Sequence, residues 1–200
     1  MVGNPRYYHK INGWFNFPDF YHAACHYNYD SDPAIIVEVG IWMGKSVCYL
    51  AEKIKLAGLS EKRKVFAVDT WRGSIFEPEH QKIIDAYGGD IFSVFQNHMA
   101  KAGVEDIVTP LRMTSVEASK TFEDNSVDFV FIDAGHTYEE VVEDIKSWLP
   151  KVKKGGFIGG HDYYPEPPGK EQEGVHNAVH SIFSHEEIEN SEDCWLHHLK

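Results

Sequence analysis

Five apolar, β-branched runs, each ending near a small or acidic residue and each set apart from the next by a helical stretch, leave this chain few ways to fold. They are Ala34 to Val39, Lys64 to Asp69, Ile107 to Met113, Val127 to Asp133 and Gly156 to Gly160. Runs without polar alternation belong to strands buried on both faces, as in a parallel sheet covered by helices. Between them Val47, Leu50, Ala51 and Ile54 make one apolar helical stripe, and Val141, Val142, Ile145, Trp148 and Leu149 make another. The expected fold class is therefore α/β, a doubly wound and mostly parallel sheet. At 200 residues the chain is long enough for one ordinary domain and too short for two.

Helix starts are written into the sequence as well. Thr114-x-x-Glu117 and Thr137-x-x-Glu140 are capping-box patterns set directly after strands, so both helices begin at the carboxyl edge of the sheet. That edge is where ligands bind in an open parallel sheet. Three regions fall outside the alternation. Residues 1 to 33, rich in aromatics, are expected to form a helix and loops packed over one edge of a core domain spanning 34 to 200. Residues 71 to 90 and 163 to 174, the latter with Pro165, Pro167, Pro168 and Gly169, have the character of lid loops. Val175 to Phe183 reads as a helix and Trp195 to Leu199 as a final strand.

The first strand breaks at Glu38-Val39-Gly40-Ile41-Trp42-Met43-Gly44-Lys45-Ser46 into a glycine-spaced turn that opens a helix. Such a turn suits a ligand with a carboxylate or phosphate, because glycine takes positive φ and the new helix offers free N–H groups. A phosphate-binding loop would need four residues between the glycines, and Gly40 and Gly44 enclose three. The dinucleotide pattern fails too, since Trp42 stands where a glycine admits the pyrophosphate. Taken alone, the turn is as well explained by a plain tight turn as by a ligand. Asp69, at the end of the second strand, favours the ligand, because its carboxylate can accept hydrogen bonds from two ribose hydroxyls.

Glu38-x-Gly40-x-x-x-Gly44, Asp69-Thr70-Trp71, Phe131-Ile132-Asp133-Ala134-Gly135-His136-x-Tyr138-Glu139, Gly155-Gly156 and Gly160-His161-Asp162-Tyr163 follow one another over about residues 34 to 185. Together they resemble the class I S-adenosylmethionine-dependent methyltransferases, within them most closely the sugar and small-molecule O-methyltransferase branch with macrocin-type and cephalosporin-biosynthesis-like members. The resemblance implies a Rossmann-like, seven-stranded sheet with one reversed strand in a single domain. It also implies S-adenosylmethionine as cofactor, with its methionine end near Gly40 to Gly44, its ribose on Asp69 and its adenine near Thr114 and Ser115. The implied cofactor residues are Glu38, Gly40, Ile41, Trp42, Gly44, Lys45, Ser46, Asp69, Thr70, Trp71, Thr114, Ser115 and Asp133.

Methyl transfer from a sulfonium is an in-line displacement, so the protein aligns acceptor and methyl and, for a hydroxyl acceptor, removes a proton. A divalent cation on the acceptor oxygen lowers the hydroxyl pKa. The strand ends supply Asp133, His136, His161 and Asp162. By the resemblance, Asp133 and His136 are the catalytic residues, with His136 as base, and Asp133, His161 and Asp162 are the positions for magnesium or manganese. His161 departs from the family pattern, which tends to carry a carboxylate there; imidazole is a poor ligand for magnesium.

The chain carries a formal net charge of −12 and no long basic stretch, which argues against nucleic acid and anionic membrane as partners. An amino-group methyltransferase motif, Asp/Asn-Pro-Pro-Tyr, is missing after the fourth strand, where Asp133-Ala134-Gly135-His136 stands. Three scattered cysteines, no signal-peptide pattern and no apolar run near the roughly 18 residues of a membrane span lead to the expectation of a cytoplasmic protein. The expected partner is a small hydroxylated acceptor, and the aromatic N-terminal segment allows a homo-oligomer. Two other readings stand beside this one: a non-catalytic ligand-binding domain of the same fold, and, disfavoured by Trp42, an NAD-dependent oxidoreductase.

Overall fold

The computed structural model describes residues 6–74, 78–164, 173–191 and 193–200. Seven strands form one sheet: β1 (Ala34–Val39), β2 (Arg63–Asp69), β3 (Val108–Arg112), β4 (Val127–Ile132), β5 (Val152–Gly160), β6 (Ile188–Ser191) and β7 (Cys194–His198). Their order is β3-β2-β1-β4-β5-β7-β6. The first five pair in parallel, and β7 runs antiparallel to both β5 and β6. The chain leaves β1 toward one side and returns as β4 on the other, so the topological switch lies between β1 and β4, where an open α/β sheet forms its crevice.

Helices cover both faces. One face carries α1 (Pro18–His26), α2 (Lys45–Leu56), α3 (Pro78–Ala86) and α4 (Ile91–Ala102); the other carries α5 (Ser115–Ser119), α6 (Tyr138–Trp148) and α7 (Glu173–Ile182). The alternation of side chains divides the strands between two cores. Ile36, Val65, Ala67, Phe129 and Phe131 point to the first face, and Val37, Val39, Val68, Val130, Ile132 and Ile158 to the second. Val47, Leu50, Ala51 and Ile54 are all buried, as the stripe requires, and so are Val141, Ile145 and Trp148. Both capping boxes form: Thr114 and Glu117 close α5, Thr137 and Glu140 close α6.

The differences from the sequence reading have local causes. The third strand is shorter than its apolar run; it lies at the edge of the sheet, where Pro110 is tolerated because its missing N–H faces no neighbour. β6 is short, polar and largely exposed, and carries no apolar period to detect. The N-terminal segment lies on a face of the sheet rather than over an edge. Phe17 packs on Phe131 with ring centres 5.0 Å apart, Phe20 on the same ring at 5.4 Å, and the Glu52 carboxylate on α2 takes the backbone N–H groups of Arg6 and Tyr7 at 3.1 and 2.7 Å. Helix α3 falls within the stretch read as a loop between 71 and 90, and Pro165, Pro167, Pro168 and Gly169 lie outside the described residues.

Gly40 is demanded by this topology. Its φ is +90°, and a Cβ there would come within 1.9 Å of the Asp133 carbonyl oxygen, because the ends of β1 and β4 converge. Gly40→Ala should therefore cost at least about 2 kcal/mol, from left-handed strain plus a backbone clash that neither strand can relieve. A shift of the urea midpoint worth less than about 0.5 kcal/mol would mean that the two strand ends do not meet this closely.

Candidate active site

The carboxyl ends of the strands assemble two groups. The first surrounds Asp69 at the end of β2. One of its carboxylate oxygens accepts the backbone N–H of Ile41 and of Trp42, both at 2.8 Å, and the other accepts the N–H of Trp71 at 2.6 Å. Trp42 and Trp71 both hold positive φ, 53° and 54°, which costs a bulky residue about 1–3 kcal/mol and persists only where surrounding bonds impose it. The Trp71 ring is buried, packs on Phe92 and Phe95, and donates its indole N–H to the Trp42 carbonyl at 2.7 Å. Trp42 lies against His80, ring centres 4.5 Å apart, with Trp14 beyond at 6.3 Å. The turn is thus knotted to the strand next to it.

Below the turn Glu38 is fully buried and accepts a short hydrogen bond from Ser46. Burial raises its carboxyl to about 8, against the lowering influence of the Ser46 and Tyr21 hydroxyls, so Glu38 carries a proton at neutral pH. Lys45 donates to the Gly13 carbonyl at 2.8 Å, tying the N-terminal segment to the start of α2. A Cβ on Gly44 would run into Phe95 and Met99 on α4, so that glycine serves helix packing as well as its φ of +89°.

Beside Asp69 opens a cleft of about 670 Å³, lined by Thr70, Arg72, Arg112, Met113, Thr114 and Glu117. Thr70 and Thr114, expected near the cofactor, line it, and so do Arg72 and Arg112, which no motif marks. Arg112, the last residue of β3, lies over the Phe92 ring at 4.8 Å. Ser115 is placed differently from the sequence expectation: its hydroxyl accepts the Trp148 indole N–H at 2.9 Å and bonds to Asp144, so it secures α5 to α6.

The second group sits two strands away, at the ends of β4 and β5. His136 Nε2 is 3.0 Å from an Asp162 oxygen, and His161 Nδ1 is 3.2 Å from that same oxygen and 3.6 Å from Asp133. Burial disfavours charge on His161, yet the two carboxylates outweigh it and lift the imidazole to about 10; its Nε2 is buried without a hydrogen-bond partner. The reciprocal effect holds Asp162 well below the ordinary carboxylate range, even though its burial acts the other way. Asp162 itself takes a left-handed φ of 57°. Phe17, from the N-terminal segment, covers His161 at 4.7 Å between ring centres, a contact no motif pointed to. A cavity of about 10 Å³, no larger than one water, lies among Asp133, His136, His161 and Trp195.

Of the set expected to hold a cation, Asp133 and Asp162 converge with His136, their donor atoms all within 4.8 Å of one another, while His161 lies between the same two carboxylates as their ion-pair partner. His161, protonated between the two carboxylates, supplies there the positive charge that a cation would otherwise bring. By donor type the group fits a borderline first-row ion better than magnesium, which prefers an all-oxygen shell.

A family model described as a methyltransferase domain matches residues 37–163. The chain belongs to that family. An uncharacterized protein of Sinorhizobium fredii, y4gI, is 32% identical over 133 residues, 65% of this chain but 13% of that protein, so the chain spans about an eighth of the relative's length. Among solved structures, an S-adenosylmethionine-dependent O-methyltransferase from Thermotoga maritima superposes with a TM-score of 0.59 at 14% identity, covering 94% of this chain and 67% of the other. CalS11, a TDP-rhamnose 3'-O-methyltransferase of calicheamicin biosynthesis, gives 0.55 at 14%, covering 90% and 76%. At such identities the likeness is one of fold, the seven-stranded sheet described above.

The protonation of Glu38 can be measured. Folding raises its pKa from 4.5 to about 8, so the folded state keeps a proton that the unfolded chain releases. The associated stability is fully present below the unfolded value and is lost as pH rises through the folded one. Glu38→Gln should flatten the stability curve between about pH 5 and pH 8 by up to about 1.4 kcal/mol per pH unit. An unchanged curve would show that Glu38 is ionised in the folded protein.

Proposed function

We propose that the protein is an S-adenosylmethionine-dependent O-methyltransferase acting on a sugar or other small hydroxylated metabolite. The observation that carries this reading is the His136–Asp162–His161–Asp133 cluster at the ends of β4 and β5, on the same edge of the sheet as the cleft of about 670 Å³ at the ends of β2 and β3. Strands lie about 4.8 Å apart, so β2 and β4, separated by β1, put roughly 10 Å between the two groups. That is the span over which a nucleoside joined to a methionine arm delivers its methyl group.

On this reading the Asp69 knot holds the turn against which the donor lies, while Thr70, Met113 and Thr114 form the nucleoside wall. Catalysis then needs alignment and a base. The hydrogen bond from His136 Nε2 to Asp162 orients the imidazole that takes the acceptor's proton, as the acceptor oxygen attacks the methyl carbon and the bond from that carbon to the sulfonium sulfur breaks, the sulfur leaving as a neutral thioether. Asp162 stabilises the imidazolium that results, and it stays ionised because His161 faces it. Where a cation binds, Asp133 and Asp162 with an imidazole would hold it, and it would lower the pKa of the acceptor hydroxyl. The acidic net charge supports a small acceptor rather than nucleic acid, and the Thermotoga and CalS11 enzymes lend the chemistry by analogy of fold. Among the described residues no helix is long and apolar enough to cross a membrane.

Calorimetric titration with S-adenosylmethionine and with its demethylated product tests the donor site. Saturable binding is expected, Asp69→Ala should abolish it, and absence of binding at about 1 mM ligand would overturn the proposal. For catalysis, His136→Gln should leave donor binding intact and lower kcat with a hydroxylated acceptor at least about a hundredfold. Equal turnover by the variant would remove His136 from the base's role.

A further inference from the structure

On α7 and in the turn that follows it, apart from the converging donors Asp133, His136 and Asp162, three further histidines come together. His176 and His180 are four residues apart on α7 and therefore share one face of the helix, and His185 comes back to them from the turn that follows. Each offers a ring nitrogen, and the three nitrogens lie within 4.8 Å of one another. The His180 and His185 ring centres are only 3.6 Å apart, and those of His176 and His180 4.6 Å. Three imidazoles crowded together are costly as a set of cations and favourable as a set of neutral ligands. His180 is held below its ordinary pKa, first by burial and then by its two histidine neighbours.

Metal-ligating histidines characteristically have the second ring nitrogen engaged, which fixes tautomer and orientation. His180 meets that condition whichever nitrogen turns to an ion. Its Nε2 is 2.8 Å from the Tyr163 hydroxyl and its Nδ1 is 3.4 Å from the Phe183 carbonyl oxygen. Tyr163 is buried and also stacks on His176 at 5.3 Å, so one tyrosine braces two of the three imidazoles.

We propose that His176, His180 and His185 form a second site, independent of the methyl-transfer crevice, for a first-row divalent metal of the zinc, cobalt or nickel class. All-imidazole donors select such ions over magnesium and calcium. His185 is exposed at the rim of the group, which leaves the ion an entry path and room for water to complete its coordination. The ion would join the end of α7 to the turn Ser184–Glu187 that leads into β6, and through Tyr163 it would brace the chain segment just after β5. Its role is that of a clasp, in which binding to the folded state alone stabilises that state.

The test uses the full chain, free of any affinity tag and stripped of metal, titrated with Co²⁺ and then with Zn²⁺. Cobalt should bind with a visible ligand-field spectrum that zinc displaces, and zinc should raise the melting temperature. His185→Ala, a change at an exposed side chain, should keep the far-ultraviolet circular dichroism, weaken cobalt binding at least about tenfold and abolish the zinc-dependent rise in melting temperature. Asp162→Asn, which breaks the other converging donor group, should leave in place the cobalt absorption that His185→Ala removes. The proposal is overturned if cobalt gives no spectrum at about 100 μM, or if its binding survives His185→Ala and is lost in Asp162→Asn. Should His185→Ala prove unstable, His176→Gln in its place must give the same loss, and full-strength binding by that variant overturns the proposal equally.

Discussion

The turn at the end of β1 exists in its observed shape because the Asp69 carboxylate gathers three backbone N–H groups. Two of them belong to that turn and one to the segment leaving β2. Two tryptophans in left-handed conformations flank the carboxylate, which accepts the backbone N–H of each. An acidic residue at a β2 end is easily assigned to a ribose alone. Here it is first a knot between two loops, and whatever it offers a ligand it offers from a position already fixed by three bonds. Preorganisation of this kind would lower the ordering cost of binding a ligand at this turn, since the loops are already settled.

The same economy governs the far side of the crevice. Asp133 and Asp162 would repel each other at the ends of neighbouring strands if nothing stood between them. His161 does, and the pair of carboxylates keeps it charged in spite of its burial. The consequence for His136 is indirect: its partner Asp162 remains an acceptor, so the ring keeps one orientation. Phe17 closes His161 from above, which makes the N-terminal segment part of the electrostatics of the site, because excluding water strengthens each of these charge contacts.

The sheet was legible in the sequence because strands buried on both faces read as largely apolar runs, broken in Ala34 to Val39 by Glu38 alone and in Val127 to Ile132 by Asp128 alone. The capping boxes at Thr114 and Thr137 fixed where helices start at the functional edge. Where the reading fell short, the signal was weak or lay in tertiary contacts. β6, with Glu189, Asn190 and Ser191, has no period to read. Thr114 and Ser115 are adjacent and chemically alike, and only packing sends one to the cleft and the other to Trp148 and Asp144. The strand ends were expected to gather Asp133, His136, His161 and Asp162; tertiary contacts alone divide them, with His136 converging on Asp133 and Asp162 while His161 bridges the carboxylates.

Imidazole at position 161 carries a physical consequence for metal dependence. A carboxylate there would make three negative groups at adjoining strand ends, a cluster that needs a cation to be stable. With His161 the ends of β4 and β5 hold two carboxylates and one imidazolium, a set that is nearly balanced without any ion. A cation held by Asp133 and Asp162 would share their oxygens with the His161 imidazolium, which the same two carboxylates keep charged against its burial. The internal cation thus offsets part of the carboxylate charge from within the fold.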